Sequence, residues 1–166
     1  NLLKKYLGVV DTEVKFGWLV VPDGDSMIPE LSIIANVLTK HRGFKDFFTP
    51  RKFLRCDFYS TSYKLIVEYD EIQHFTIPRA ISLKNYPLSI TLGFDKNKWI
   101  RACEEIKAID NDPIYRDEQR AFYDSMRDIL ASRNGLTLIR IRHGDFDWQS
   151  MDSQIRLKEL LLSHSD

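Results

Sequence analysis

Two short stretches decide the fold, RCDFY at residues 55–59 and KLIVEYDEIQHF at residues 64–75. Both are rich in aliphatic and aromatic residues, and a polar connector of hairpin length separates them at 60–63. This pattern predicts a β-hairpin whose strands run over residues 53–59 and 65–70.

The predicted hairpin places acidic side chains on one face. Because side chains alternate along a strand, Glu68 and Asp70 share a face with Ile66. A regular hairpin puts position 57 roughly opposite position 66, so Asp57 faces the same side as Glu68. We expect Asp57 and Glu68 to be diagonal neighbours, about 7–8 Å apart between Cα atoms.

The rest of the chain alternates helical and strand patterns, with no internal repeat and no long linker. Helical spacing of apolar residues begins near Pro29, behind Ser26 as its cap, and stops at Gly43. The other predicted elements are a short helix within 1–12, strands at 14–21, 88–92 and 136–141, and helices at 95–109, 113–132 and 149–162. This order predicts a single α/β domain, in which helices flank a mixed central sheet.

The composition excludes several classes of protein. The chain has 166 residues, with 24 Lys and Arg against 24 Asp and Glu, which excludes a uniformly basic nucleic-acid binder. No apolar run approaches the roughly 20 residues of a membrane span, and the first residues lack the pattern of a secretory signal peptide. The two cysteines, Cys56 and Cys103, have no metal-binding spacing. Together these features predict a cytoplasmic protein.

The acidic face of the hairpin indicates a cation site. Carboxylates as close as Asp57 and Glu68 repel each other unless a cation lies between them or one is protonated. Oxygen ligands on a rigid hairpin suit Mg²⁺. His74, six residues after Glu68, can exchange a proton with a water or a leaving oxygen. The alternative is the solvated face of a half-covered sheet, with His74 in a structural role.

The run DFY…LIVEYDxxQHF resembles the core of the PD-(D/E)XK nuclease superfamily, in the branch similar to very-short-patch (Vsr-like) repair endonucleases and related EDxHD homing endonucleases. That branch carries an ordered set: Glu on an early helix, Asp on the first hairpin strand, a variable residue on the second, then His, then a later Asp. The matching residues here are Glu30, Asp57, Glu68, His74 and Asp117. NGLTLIRI at 134–141 also resembles the last core strand of that branch. The likeness covers residues 27–142, which leaves 1–25 as an N-terminal extension and 149–163 as a C-terminal helix.

The resemblance implies a restriction-endonuclease-like fold and metal-dependent hydrolysis of phosphodiester bonds in DNA. Asp57 and Glu68 would hold Mg²⁺ or Mn²⁺, with Asp70 as a further or outer ligand. The ion would polarise the phosphate and lower the pKa of a bound water. His74 would act as general base or acid.

Two acidic residues on helices complete the implied site. Asp117 would orient the ring of His74, and Glu30 would reach in from its helix to order a water or the second face of the metal. Each of these two acids also has a structural explanation, because a carboxylate in the first turn of a helix interacts favourably with the helix dipole.

Two departures from the family pattern keep other functions open. Asp70 stands in place of the superfamily's E-x-K lysine, and Glu71 stands where relatives often carry Gly. The negative charge of Glu71 beside a phosphate path opposes DNA binding or cleavage. The first alternative is therefore a catalytically inactive nuclease-like module that binds nucleic acid within a larger complex. The second is a protein–protein adaptor with an ordinary half-exposed sheet.

Basic and aromatic residues interleave over 40–55, directly ahead of Asp57. Such a segment suits phosphates and unpaired bases. The residues predicted to contact nucleic acid are Lys45, Arg51, Lys52, Arg55, Gln73 and Arg79. The sequence leaves duplex DNA, single-stranded DNA, a mismatch and RNA open as substrates, and it leaves a homodimer or a partner domain open as the assembly.

Overall fold

A mixed sheet forms the centre of the molecule in the computed structural model, which describes residues 2–163. Its strands are β1 (Asp11–Val14), β2 (Cys56–Ser60), β3 (Leu65–Asp70) and β4 (Thr137–Arg142), and their order in the sheet follows the chain. β1 and β2 are antiparallel, as are β2 and β3, whereas β4 runs parallel to β3. A parallel pair needs a long crossover, which the chain makes through helices.

Helices cover both faces of this sheet. They are α1 (Leu2–Leu7), α2 (Pro29–Arg42), α3 (Ile77–Lys84), α4 (Lys96–Ile106), α5 (Arg116–Arg133) and α6 (Met151–Leu162). The larger core joins Ile66 of β3 to α2 through α5, with Ile34 and Phe122 fully buried in it. The smaller core joins Val67 on the opposite face to α1 and α6, through residues such as Leu157. The predicted α/β class with a mixed sheet is therefore confirmed.

Two predicted strands are wrong. Of residues 14–21, only Val14 belongs to a strand, β1, and an isolated bridge joins Val20 to Phe53. Residues 88–92 form no strand, and Leu88 is 99% exposed. The chain instead meets the edge of β4 at Gly93, whose N–H donates to the carbonyl of Leu138 at 3.1 Å.

Helix α3 has no counterpart in the sequence prediction, and the predicted cap of α2 is wrong. α3 follows Thr76, whose Oγ1 accepts a hydrogen bond from the N–H of Arg79, and Pro78 lies in its first turn. Proline is tolerated there because the first-turn N–H groups have no partner within the helix. Ser26 does not cap α2. The N-cap of α2 is Ile28, and Ser26 donates its hydroxyl to the carbonyl of Asp23 at 2.9 Å.

The hairpin has a different register from the predicted one. Phe58 pairs with Val67, and Ser60 pairs with Leu65, so position 57 lies opposite Glu68 and not opposite position 66. The predicted register took Ser60 as part of the turn, but Lys64 takes that role, with a left-handed φ of 48°. Asp57 and Glu68 are consequently direct cross-strand neighbours.

No helix in the described part of the chain is long and apolar enough to cross a membrane. Cys56 and Cys103 are both buried and free of disulfide bonds. Burial raises the pKa of the Cys103 thiol to about 12, which keeps it protonated at neutral pH.

Candidate active site

The acidic end of the hairpin borders a pocket of about 860 Å³. The charged and titratable residues that line it include Asp57, Glu68, Glu71, His74 and Arg127. Three of the residues predicted to be catalytic, Asp57, Glu68 and His74, therefore meet at one cavity.

Asp57 and Glu68 are held by hydrogen bonds that replace strand pairing. The β2–β3 register ends at the pair of Phe58 and Val67. Beyond it, the N–H of Asp57 donates to Glu68 Oε1 at 3.2 Å, and the N–H of Tyr69 donates to Asp57 Oδ2 at 2.8 Å. Asp57 Oδ1 has no hydrogen-bond partner among residues 2–163. The hairpin thus orients both carboxylates and leaves one oxygen of Asp57 available to a ligand.

Glu68 is a buried acid whose pKa lies close to neutral pH. It is 5% exposed, and burial raises its pKa to about 7. This value already includes the charges of Arg127 and Arg140, which lower the pKa of Glu68, and the charges of Asp57 and Asp124, which raise it. A positive charge placed between Asp57 and Glu68 would therefore favour the ionised form of Glu68.

The raised pKa of Glu68 predicts a pH-dependent stability. Between pH 4.5 and about 7 the folded protein retains a proton on Glu68 that the unfolded chain has lost, so the stability falls as the pH rises through this window. Glu68→Gln keeps an oxygen to accept the N–H of Asp57 but does not ionise. We expect this variant to exceed the parent in free energy of unfolding at pH 8 by on the order of 1–3 kcal/mol.

The measurement is urea unfolding of the two proteins at pH 5 and pH 8. His74 also has a raised pKa, so the stability that it contributes is likewise lost as the pH rises. This loss is the same in the parent and in Glu68→Gln. The difference between them therefore isolates Glu68. Glu71→Gln, at an exposed acid on the same pocket, serves as the control. Equal pH slopes for the parent and Glu68→Gln would contradict the prediction.

His74 is anchored by a residue on α5. Its Nδ1 lies 2.9 Å from Asp124 Oδ2 and 3.7 Å from Asp70 Oδ1. Burial lowers the pKa of His74, but the charges of these two carboxylates outweigh it, so the pKa is raised above the ordinary 6.5. With Nδ1 directed at Asp124, Nε2 is the ring atom left to exchange a proton in the pocket.

Asp124, and not the predicted Asp117, is the carboxylate that orients the ring of His74. Burial alone would raise the pKa of Asp124, but His74 and Arg140 hold it well below its usual range, so Asp124 is ionised. Asp117 instead accepts the N–H of Asp110 at 3.2 Å. The orienting role of Asp117 is therefore corrected: both acids lie on α5, but Asp124 is the one that reaches His74.

Glu30 lies at the start of α2 and does not line the pocket. Its Oε1 accepts a hydrogen bond from Arg133 Nη1 at 2.7 Å, and its Oε2 is buried without a partner. Arg133 is the last residue of α5. The structure thus ties Glu30 to the end of α5 and separates it from Asp57 and Glu68.

Asp70 is a structural acid, which corrects its predicted role as a metal ligand. It is 1% exposed, and both of its oxygens are engaged. Trp99 Nε1 donates to Oδ2 at 2.7 Å, and Arg140 Nη1 donates to Oδ1 at 2.6 Å. The side chain points into the larger core because it lies on the same face of the sheet as Ile66, the face that α2 through α5 cover.

Arg127 is a site residue that the sequence analysis did not select. Its Nε donates to the carbonyl of Arg55 at 2.8 Å and lies 3.6 Å from Glu68 Oε2, while Nη1 donates to Asp124 Oδ1 at 3.2 Å. Arg127 therefore bridges the carboxylate of the hairpin and the carboxylate that anchors His74. The available signal was the spacing of Asp124, Arg127 and Asp128, which places charges beside the apolar stripe of α5.

Two predicted nucleic-acid contacts are engaged within the protein. Arg79 is 1% exposed, and its guanidinium donates to Tyr86 Oη at 2.6 Å and to Asp128 Oδ2 at 2.7 Å. A buried guanidinium cannot reach a nucleic acid, so the prediction for Arg79 is wrong. Gln73 is half-buried and donates its amide to the carboxylate of Glu71, an exposed residue beside His74.

The basic segment before the hairpin is exposed, as a binding surface requires. Its predicted contact residues are Lys45, Arg51, Lys52 and Arg55, all of them exposed. Arg51 pairs with Asp23 at 2.8 Å, and Arg55 pairs with Glu13 at 3.1 Å. Exposed pairs of this kind are weak, so these cations can be released to phosphates. Their contact with nucleic acid stays a prediction.

The donor set at Asp57 and Glu68 suits a hard divalent cation. Among residues 2–163, no group of three or more His, Cys, Asp or Glu side chains is arranged to hold a metal ion. Mg²⁺, however, is commonly bound by one or two carboxylates, with water and substrate phosphate as the other ligands. Two directly opposed carboxylates, one with its pKa raised by burial and by the other's charge, fit this requirement.

Comparison with known proteins identifies no relative. No family model, no curated protein and no solved structure matches the chain.

Proposed function

We propose that the protein is a metal-dependent endonuclease of the restriction-endonuclease-like type, which hydrolyses phosphodiester bonds in DNA. The observation that carries this proposal is that a pair of carboxylates and a histidine held by a third carboxylate meet at one pocket. Asp57 and Glu68 face each other across the hairpin, and His74 lies on the same pocket with its ring directed at Asp124. Metal-dependent hydrolysis of a phosphodiester uses this combination, a cation site beside a group that exchanges protons.

Each residue of the pocket has its own role in the proposed reaction. Asp57 and Glu68 would hold Mg²⁺ or Mn²⁺, which when bound polarises the scissile phosphate and lowers the pKa of a water. His74 exchanges a proton through Nε2, as general base toward the attacking water or as general acid toward the leaving oxygen. Asp124 keeps the ring oriented and stabilises its charged form. Arg127 holds Glu68 and Asp124 in a fixed relation.

Cleavage of supercoiled and single-stranded DNA tests the proposal. We expect the parent to nick or cut DNA with Mg²⁺ or Mn²⁺ and to stop when EDTA is added. Asp57→Asn preserves the shape of the side chain but removes its charge. We expect this variant to need at least about tenfold more Mg²⁺ for half-maximal cleavage, because a charged ligand is lost.

Asp46→Asn is the matched control, because Asp46 is an exposed acid outside the lining of the pocket. It should keep the Mg²⁺ requirement of the parent. Cleavage that persists in EDTA, or an Asp57→Asn variant with unchanged Mg²⁺ dependence, would contradict the proposal. Absence of cutting by the parent under all these conditions would also contradict it.

Arg127 favours a second candidate function, a nuclease-like module that binds nucleic acid without cutting it. Its guanidinium lies 3.6 Å from Glu68 Oε2 and lowers the pKa of Glu68, so it supplies part of the positive charge that a metal would supply. This alternative predicts DNA binding that is unchanged by EDTA and is not followed by cleavage. Fluorescence anisotropy with labelled DNA, with and without Mg²⁺, separates the two functions.

A further inference from the structure

The pocket at the catalytic residues has a second, apolar half. Its accessible apolar lining consists of Leu2, Phe58, Tyr69 and Trp148, and buried side chains of the smaller core, among them Val67, Ile141 and Leu157, form its floor. None of these side chains has a part in the proposed hydrolysis. The volume of about 860 Å³ is also that of a site for a whole small molecule, since such sites span roughly 300–1,000 Å³.

The apolar half is continuous with the acids because the backbone pairing of the hairpin ends there and side-chain hydrogen bonds replace it. Successive residues of a strand point to opposite faces, yet Val67 and Glu68 line the same pocket. Asp57 and Phe58 do the same on the facing strand. The register of β2 and β3 ends at the pair of Phe58 and Val67, so beyond it the cavity reaches both faces of the sheet.

Trp148 offers an ordered aromatic surface to this cavity. Its ring stacks on Phe146, with a centroid distance of 5.5 Å and an interplanar angle of 20°. Tyr69 is 6.4 Å away between ring centroids, and its hydroxyl lies 2.8 Å from His143 Nδ1. Trp148 nevertheless remains 43% exposed. An aromatic ring that is already ordered and still open loses little entropy when a planar ligand stacks on it.

We infer that the apolar half takes the nucleobase of the nucleotide next to the scissile phosphate, and that this base must be unpaired. The inference rests on the proposed function, which places the phosphate at Asp57 and Glu68. The adjoining nucleoside then extends along the same cavity, toward Trp148. A base inside a duplex is stacked on both sides, so it cannot enter a pocket without leaving the helix. The substrate class is therefore a single strand, or a duplex with an unpaired nucleotide.

The occupant is a base because an additional phosphate would be disfavoured. Asp57, Glu68 and Glu71 all line the pocket and repel phosphate groups that no cation neutralises. Arg127, which also lines the pocket, is already engaged by Glu68 and Asp124. Apolar and aromatic contacts with a base carry no such repulsion. Binding in this half should therefore depend on the base and not on the charge of the backbone.

The test compares three labelled ligands of equal length by fluorescence anisotropy, with Ca²⁺ in place of Mg²⁺ to slow cleavage. They are a single-stranded oligonucleotide, its fully paired duplex, and an abasic strand that retains only the sugar–phosphate backbone. We expect the single strand to bind about tenfold more tightly than either of the others, which is the effect of stacking one base. Trp148→Ala should remove this advantage, and Trp148→Phe should retain most of it.

Met151→Ala controls for changes at the start of α6, since Met151 is 71% exposed and does not line the pocket. Melting temperatures establish that each variant is folded. The inference is overturned if the duplex binds as tightly as the single strand, or if Trp148→Ala weakens the abasic strand equally. Metal-dependent cutting with a preference for duplex would refute the base pocket and leave the nuclease. Base-dependent binding at Trp148 without metal-dependent cutting would refute the nuclease and leave the base pocket.

Discussion

Replacing His74 by alanine is expected to lower the rate of DNA cleavage by about 10²–10⁴-fold, the usual contribution of a general acid or base. Asp124→Asn is expected to lower it by about 10–100-fold, because the ring then loses its orienting carboxylate. The two residues form one unit, since His74 Nδ1 lies 2.9 Å from Asp124 Oδ2. The double variant should therefore be little worse than His74→Ala alone.

A pH profile separates positioning from a general loss of structure. The charge of Asp124 and its hydrogen bond both raise the pKa of His74. In Asp124→Asn, the limb of the kcat profile that reports His74 should consequently move to lower pH. A merely structural role for Asp124 would lower the rate without moving this limb.

Asp117→Asn is the matched control for Asp124→Asn, because both acids lie on α5 and both are buried. Asp117 accepts the N–H of Asp110 and lies 3.9 Å from Arg42, and an asparagine can still accept the first of these contacts. We expect it to retain the activity and the pH profile of the parent. Equal losses in Asp117→Asn and Asp124→Asn would show that the contact of Asp124 with His74 is not the reason for its effect.

Arg140→Met is expected to lower the free energy of unfolding by about 3–5 kcal/mol, the cost of leaving buried charges without a partner. Its guanidinium is fully buried and contacts Asp70 at 2.6 Å and Asp128 at 2.9 Å, with Asp124 Oδ1 at 3.7 Å. Methionine fills a similar volume, so the loss measures charge and not a cavity. Urea unfolding at pH 7 is the measurement.

Arg51→Met provides the comparison, since Arg51 pairs with Asp23 while 83% exposed. Removing an exposed pair changes stability by less than about 1 kcal/mol. The loss in Arg140→Met should also shrink at acidic pH, where protonation relieves the unpaired carboxylates. Similar losses in the two variants would contradict the view that Arg140 holds the acidic residues beneath the site.

Local pattern was sufficient for much of the fold. The aliphatic and aromatic run LIVEYD after a polar connector predicted β3 at residues 65–70, and helical spacing after Pro29 predicted α2. The prediction of a strand at 88–92 was wrong because apolar character alone does not provide a partner strand. α3 has no counterpart among the predicted elements. It contains Pro78, a residue that disfavours the interior of a helix but is tolerated in the first turn, where Pro78 lies.

The candidate site, like the fold, was predicted only in part from the sequence. The order of acids in the hairpin and the nearby histidine identified Asp57, Glu68 and His74, all of which line one pocket. Sequence spacing could not show that Asp70, two residues from Glu68, turns into the core to meet Trp99. The same holds for Arg79, because the sequence does not distinguish a buried arginine from an exposed one.

By itself, the sequence determined the mixed α/β class, the hairpin and the face on which its acids lie, because these follow from periodicities within a few residues. Only the tertiary structure decided that Asp124 and not Asp117 anchors His74, and that burial raises the pKa of Glu68 to about 7. Both depend on how α5 crosses the sheet. The choice of partner and the degree of burial are set by contacts between residues far apart in the chain, which no local pattern contains.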